Sequence, residues 1–234
     1  MITTVLFDLD GTLLPMDQDR FVKSYIGRMA KKLAPHGYDP ELLTAGLWKG
    51  TGAMVKNNGH KTNEEVFWSV FNAVLGKDCQ ADEALFLDYY HNEFQLVAQD
   101  CGFDPRAAEV ISEIKGKGWQ VALATNPLFP AVATHSRAKW AGLNPDDFKL
   151  ITTYENSRHC KPNPDYYRDI LATLDVKPEN CLMVGNDVQE DMVAQTLGMK
   201  VFLLTDNLIN RTGEDISGYP HGSFGELMTF IREL

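Results

Sequence analysis

Three short apolar runs, TTVLFDLD (3–10), QVALATN (120–126) and CLMVGND (181–187), limit the possible folds more than any other feature of the chain. Each is an apolar stretch ending in small or polar residues, the pattern of short strands buried in a parallel sheet. Each also stops at residues that carry chemistry: Asp8 and Asp10, Thr125 and Asn126, Asp187. KVFLLT (200–205) reads as a fourth strand and FKLITT (148–153) as a weaker fifth.

Helical patterns alternate with these runs. PRAAEVISEIKGKG (105–118) opens with Pro, closes with Gly and leads into the second run, and PDYYRDILATLD (164–175) carries an apolar face of Tyr166, Tyr167, Ile170, Leu171 and Leu174. EDMVAQTLGM (190–199) and FGELMTFIREL (224–234) complete the set. Strands alternating with helices predict an α/β fold, a doubly wound parallel sheet. Residues 16–102 break that rhythm, with helical patterns only: Phe21, Tyr25, Met29 and Leu33 recur every four residues, and further helices are expected over about 40–57, 63–76 and 81–99. The expected organisation is a core domain of residues 1–15 and 103–234 with a helical cap, residues 16–102, inserted after the first strand. With 44% hydrophobic residues among 234, the chain can bury a substantial core.

The 32 acidic against 22 basic residues leave a net charge of -10, which argues against broad binding to nucleic acid or an anionic membrane. A small anionic substrate in a locally positive pocket remains compatible with it. Cys79, Cys101, Cys160 and Cys181 are scattered, without the spacing of a zinc site, and are expected as reduced thiols. The start MITTVLFD lacks the features of a signal peptide, and no run approaches the roughly 18 apolar residues of a membrane span. The cytoplasm is the expected location, and monomer and homodimer both stay open.

In open parallel sheets, ligands bind beyond the carboxyl ends of the strands, where Asp8, Asp10, Thr125, Asn126 and Asp187 are expected. Side chains two residues apart on a strand face the same way, so Asp8 and Asp10 can meet at one pocket while Gly11 turns the chain. A carboxylate can act as a covalent nucleophile toward a phosphoryl group, but the repulsion between two anions must first be reduced by a cation. Mg²⁺ fits, as a hard ion bound through one or two carboxylates with water and phosphate. Asp8 and Asp187 are the obvious pair of ligands, Asp191 one helical turn on holds a bound water or orients the site, and Lys161 adds positive charge. Thr125 and Asn126 can donate to phosphate oxygens, and Asp10 can protonate the leaving group and then accept a proton from water.

These residues resemble the four motifs of the haloacid dehalogenase-like (HAD) superfamily, in order: DLDGT (8–12), ATN (124–126), Lys161 in CKPNPD, and GNDVQED (185–191). One such match is moderately specific; four in order, in the right strand context, are highly so. The resemblance covers the whole chain, including an insert at the position of a C1-type helical cap. It implies that Asp8 is nucleophile and Mg²⁺ ligand, and that Asp10 is the general acid/base and offers its backbone carbonyl to the metal. It further implies that Asp187 is a metal ligand, that Thr125, Asn126 and Lys161 bind phosphate, and that Asp191 acts from behind these groups. The implied activity is a Mg²⁺-dependent phosphatase acting on a small phosphorylated metabolite through an aspartyl-phosphate. A phosphomutase is the nearest rival. A dehalogenase is disfavoured because that chemistry needs no metal and such members typically lack the second acid found here as Asp10. A phosphonatase would need a Schiff-base lysine in the insert, for which Lys49, Lys56 and Lys61 are candidates. A non-catalytic binding protein is disfavoured by the intact motifs.

Glu190 reads as an ordinary acid at a helix N-terminus. The Gly-rich segment GTGAMVKNNGHKT (50–62) fails as a P-loop, since His60 breaks the ending and no strand precedes it. Its Lys56, Asn57, Asn58, His60 and Lys61 are candidates for substrate contact, against surface solvation. Phe67, Trp68, Phe71, Tyr89 and Tyr90, at helical spacing, are expected as core rather than as a recognition box.

Overall fold

The computed structural model describes residues 1–234 and contains a single six-stranded, all-parallel sheet. Its strands are β1 (Thr4–Phe7), β2 (Gln120–Leu123), β3 (Leu150–Ile151), β4 (Cys181–Gly185), β5 (Lys200–Leu204) and β6 (His221–Gly222), in the order β3-β2-β1-β4-β5-β6. The fold is α/β, as the alternation predicts. FKLITT shrinks to the two residues of β3, and the two-residue β6 has no apolar run to announce it.

The sheet separates two cores by the alternation of its side chains. Val5 and Phe7 of β1, Leu182 and Val184 of β4, and Phe202 and Leu204 of β5 enter one cluster, with α5 (Arg106–Gly116) and α8 (Phe224–Glu233). Leu6, Met183, Val201 and Leu203 enter the other, against α7 (Pro164–Leu174). Helices on both faces leave only the strand ends for a ligand. Between β2 and β3 runs α6 (Ala131–Trp140). The expected helix over 190–199 is a 3₁₀ segment, Met192–Leu197, stopped by Gly198 at φ +92°.

The insert is helical: α1 (Gln18–Leu33), α2 (Pro40–Val55), α3 (Asn63–Leu75) and α4 (Glu83–His91), with a 3₁₀ run over Glu93–Asp100. Asp17 caps α1 by accepting from the Arg20 N–H at 3.0 Å, and a Thr62–Glu65 capping box opens α3. The helix expected over 81–99 breaks at Asn92, whose side chain turns back onto the Asp88 carbonyl at 3.0 Å and competes with the backbone ladder. Phe21, Tyr25, Met29 and Leu33 of α1 join Leu47, Trp68, Phe71, Tyr89 and Tyr90 in an apolar cluster that meets the sheet unit at Ala133 of α6 and at Met16, Cys101 and Trp140, which also pack on the first sheet core. The two chain crossings lie side by side, with the Gly102 N–H donating to the Pro15 carbonyl at 2.6 Å. No helix is long and apolar enough to cross a membrane.

Candidate active site

β1 lies at the centre of the sheet, hydrogen-bonded to β2 on one side and β4 on the other, so the chain reverses its direction of winding here. A crevice opens at such a point beyond the strand ends. It is a cavity of about 170 Å³ whose wall includes Asp8, Asp10, Thr125, Asn126, Asp187 and Asp191. Lys161 does not line it and reaches the same group of residues from below.

Asp8 follows β1 directly, its N–H donating to the Val184 carbonyl at 2.9 Å, which fixes the residue against β4. Its carboxylate accepts from Lys161 Nζ at 2.8 Å on Oδ1, and Thr12 Oγ1 lies 3.1 Å from Oδ2 and 2.9 Å from Asn186 Oδ1. Thr12 has one proton for those two acceptors, so Asp8 keeps acceptor capacity free. Gly11, at φ +86°, makes the turn that brings Thr12 back to Asp8, and a Cβ there would stand 2.4 Å from Asn186 Nδ2.

Lys161 is 1% exposed and also donates to Asp191 Oδ1 at 2.7 Å. Burial works against its charge, but the Asp191 and Asp8 carboxylates outweigh burial and hold the ammonium well above the ordinary lysine range. Asp191 Oδ2 accepts the Asp187 N–H at 2.9 Å, and this close approach requires Gly185, whose Cβ would fall 2.0 Å from that oxygen. Asp187 Oδ1 accepts the N–H groups of Gln189 and Glu190, both at 3.0 Å, and its Oδ2 is paired with Arg211.

Asp10 is paired with Arg137, a fully buried arginine of α6 whose guanidinium also lies over the Phe129 ring, 4.3 Å from its centroid. Burial pushes the Asp10 carboxyl up, partly offset by Arg137 and reinforced by Asp8. Its Oδ1 is buried with no hydrogen-bond partner. An acid with a free oxygen, raised by burial and beside a second carboxylate, is equipped to hold and pass a proton.

Three residues of the site differ from or escape the sequence reading, Glu190 first, since it is not the ordinary helix-terminal acid expected. Glu190 lines the cavity and accepts from Asn126 Nδ2 at 3.0 Å, which ties the ends of β2 and β4 together; burial raises its carboxyl too. Arg211 comes from the loop after β5, with nothing around it in sequence to mark it. Arg137 left a trace: it sits on the face of α6 that buries Ala133, Thr134 and Ala138, where a charge demands a partner. Of the insert candidates, Lys49, Lys56, Asn57, Asn58, His60 and Lys61 are absent from the cavity wall. Asn57 instead closes its own loop, donating to the Lys61 carbonyl and to Asn63 Oδ1 at 2.9 Å each.

A family model described as haloacid dehalogenase-like hydrolase matches residues 2–194. Among curated proteins, the chain is 26% identical over 232 residues to a phosphoglycolate phosphatase of Colwellia psychrerythraea, covering 97% of this chain and 96% of that one. It is 23% identical over 210 residues to the pyrophosphatase PpaX of Bacillus cereus, covering 90% and 86%. Among solved structures, a 2-haloacid dehalogenase of Pseudomonas syringae superposes with a TM-score of 0.63 at 17% identity, over 100% of this chain and 99% of that one.

Proposed function

The chain belongs to the haloacid dehalogenase-like hydrolase family, and from that premise we propose that it is a Mg²⁺-dependent phosphatase that hydrolyses a small phosphorylated metabolite through an aspartyl-phosphate on Asp8. The observation that carries this reading is the second acid. Asp10 shares a cavity with Asp8, is part-buried beside Arg137, and keeps one carboxyl oxygen, Oδ1, buried and unpartnered. A dehalogenase has no leaving oxygen to protonate and no use for such a group.

A Mg²⁺ site fits the donor set. The cavity wall offers five carboxylates, Asp8, Asp10, Asp187, Glu190 and Asp191, and neither His nor Cys. An all-carboxylate set suits an ion that takes one or two carboxylates and completes its shell with water and phosphate. Asp8 and Asp187, with the Asp10 carbonyl, would hold it. Bound there, it would lower the repulsion between an incoming phosphate and the carboxylates.

An Asp8 carboxylate oxygen attacks phosphorus, and the bond from phosphorus to the ester oxygen breaks. Asp10, protonated at the outset, gives its proton to the departing oxygen. Water then attacks the aspartyl-phosphate, Asp10 takes its proton, and the bond from Asp8 to phosphorus breaks to release phosphate. Lys161 and the Thr12 hydroxyl hold Asp8 in line throughout, while Thr125 and Asn126 bind phosphate oxygens. Residues 16–102 serve as a cap over the core of residues 1–15 and 103–234, moving about the paired crossings at Pro15 and Gly102.

The test is a panel of phosphate esters with and without Mg²⁺, read as release of inorganic phosphate. Phosphate release that depends on Mg²⁺ is expected. No release from any ester would overturn the reading, and an isomerised sugar phosphate in its place would make the protein a mutase.

A further inference from the structure

Beside the carboxylate cleft lies a second cavity, of about 190 Å³, enclosed by α1 to α4 and closed on the sheet side by Leu128, Phe129, Pro130 and Tyr154. The two cavities share Val22, Leu128 and Phe129 as lining residues, so they adjoin along these three side chains. Leu128 and Phe129 follow Asn126 almost directly in the chain, which ties this partition to the phosphate end of the site.

The chemistry of the second cavity differs from that of the first. Its wall includes Met29, Leu47, Trp48, Phe67, Trp68 and Phe86, and its one charged side chain, Glu83, is exposed. It has no Lys, Arg or His. The hydroxyls of Tyr25 and Tyr90 are engaged with each other at 3.0 Å. Trp48 is 56% exposed and Leu87 39%, so the chain leaves apolar surface uncovered at the rim. A polyol or a second anion placed here would lose its water and find no charged donor, only the hydroxyls of Thr51 and Tyr154 and the indole N–H groups of Trp48 and Trp68, too few to replace the water of several hydroxyls or of a full negative charge. A hydrocarbon group would gain from the same move.

We propose that this chamber receives the apolar part of the substrate's leaving group, so that the preferred phosphate esters carry a ring or an alkyl chain rather than a polyol or a second anionic group. The proposal rests on the phosphatase reading above and narrows it to a substrate class. Size agrees: a dry engineered cavity of about 150 Å³ lined by Leu, Ile and Phe binds benzene, so about 190 Å³ admits one ring with a short substituent, or an alkyl chain of similar bulk.

The test compares ethyl, butyl and hexyl phosphate, whose leaving oxygens are chemically alike, with Mg²⁺ present. The value of kcat/KM is expected to rise by up to about fourfold per added methylene until the chamber is full. Thr51→Arg, which brings a guanidinium to the chamber wall, should lower the hexyl-to-ethyl ratio by about tenfold or more. A flat or falling series, or an unchanged ratio in Thr51→Arg, overturns the proposal. Calorimetric binding of hexylphosphonate against ethylphosphonate separates the two readings, since neither is hydrolysed. Tighter binding of hexylphosphonate with no turnover of any ester sustains the chamber and sinks the phosphatase. Turnover without chain-length preference does the reverse, and equal binding of the two phosphonates also defeats the chamber.

Discussion

The two neighbouring cavities are built from opposite materials. One is a cleft at the ends of β1, β2 and β4, where Lys161, Arg137 and Arg211 hold four of the five carboxylates and Asn126 holds the fifth, Glu190. The other is a space between helices, bounded mostly by apolar side chains, with Glu83 the one charged residue in its wall. A strand end orients a functional group to within a fraction of an ångström, as catalysis requires, whereas a gap between helices sets only volume and polarity. Chemistry and selectivity therefore lie in different parts of the chain and should fail separately under mutation.

The sharpest break between them is Asp8→Asn. The amide keeps the size of the carboxylate and can still meet Lys161 and Thr12, but it cannot act as the nucleophile. Turnover of every ester, long or short, should fall by roughly a thousandfold or more, with the melting temperature nearly unchanged. Residual activity that keeps its preference for one ester over another would mean that Asp8 is not the attacking group.

A second contrast pairs two destabilising changes. Lys161→Met leaves the Asp8 and Asp191 carboxylates buried without their cation and should cost about 3–5 kcal/mol in urea unfolding. Phe71→Ala empties a fully buried site in the insert's cluster and should cost a similar amount, about 3–5 kcal/mol. Only the lysine variant should also lose turnover of ethyl phosphate under conditions where it stays folded. Equal losses of activity in both would mean that stability alone, and not the placement of Lys161, governs the rate.

The same division explains what the sequence reveals. Asp8, Asp10, Thr125, Asn126 and Asp187 stand where apolar runs stop, and the strand period of two tells which of them can share a face, so their convergence is readable from local pattern. Arg137 is not readable in that way. Its partner Asp10 lies 127 residues back, and only the apolar face around it on α6 betrays that it is buried. The chamber is more hidden still. The spacing of Phe67, Trp68, Phe71, Tyr89 and Tyr90 announces a core, and Phe71 and Tyr89 are packed in it. Phe67, Trp68 and Tyr90, by contrast, also border a void, because periodicity fixes which side of a helix is apolar and not whether the facing helices close upon it. The two-residue strands β3 and β6 are likewise too short to carry a pattern.

The smallest effect tests the cleft's own balance. Arg211 is paired with Asp187 from an exposed position, its side chain 51% accessible, so the pairing is a weak one that water and salt screen. If Asp187 is a ligand for Mg²⁺, Arg211 and the metal would compete for its carboxylate. Arg211→Met should then tighten Mg²⁺ binding by about two- to fivefold, the equivalent of an exposed ion pair worth up to about 1 kcal/mol. Titration calorimetry of the metal reads this without any need for turnover. Weaker binding in the variant would show instead that the guanidinium holds Asp187 in the geometry that the metal uses. The cleft would then owe its order partly to a loop, and strand ends alone would not account for its precision.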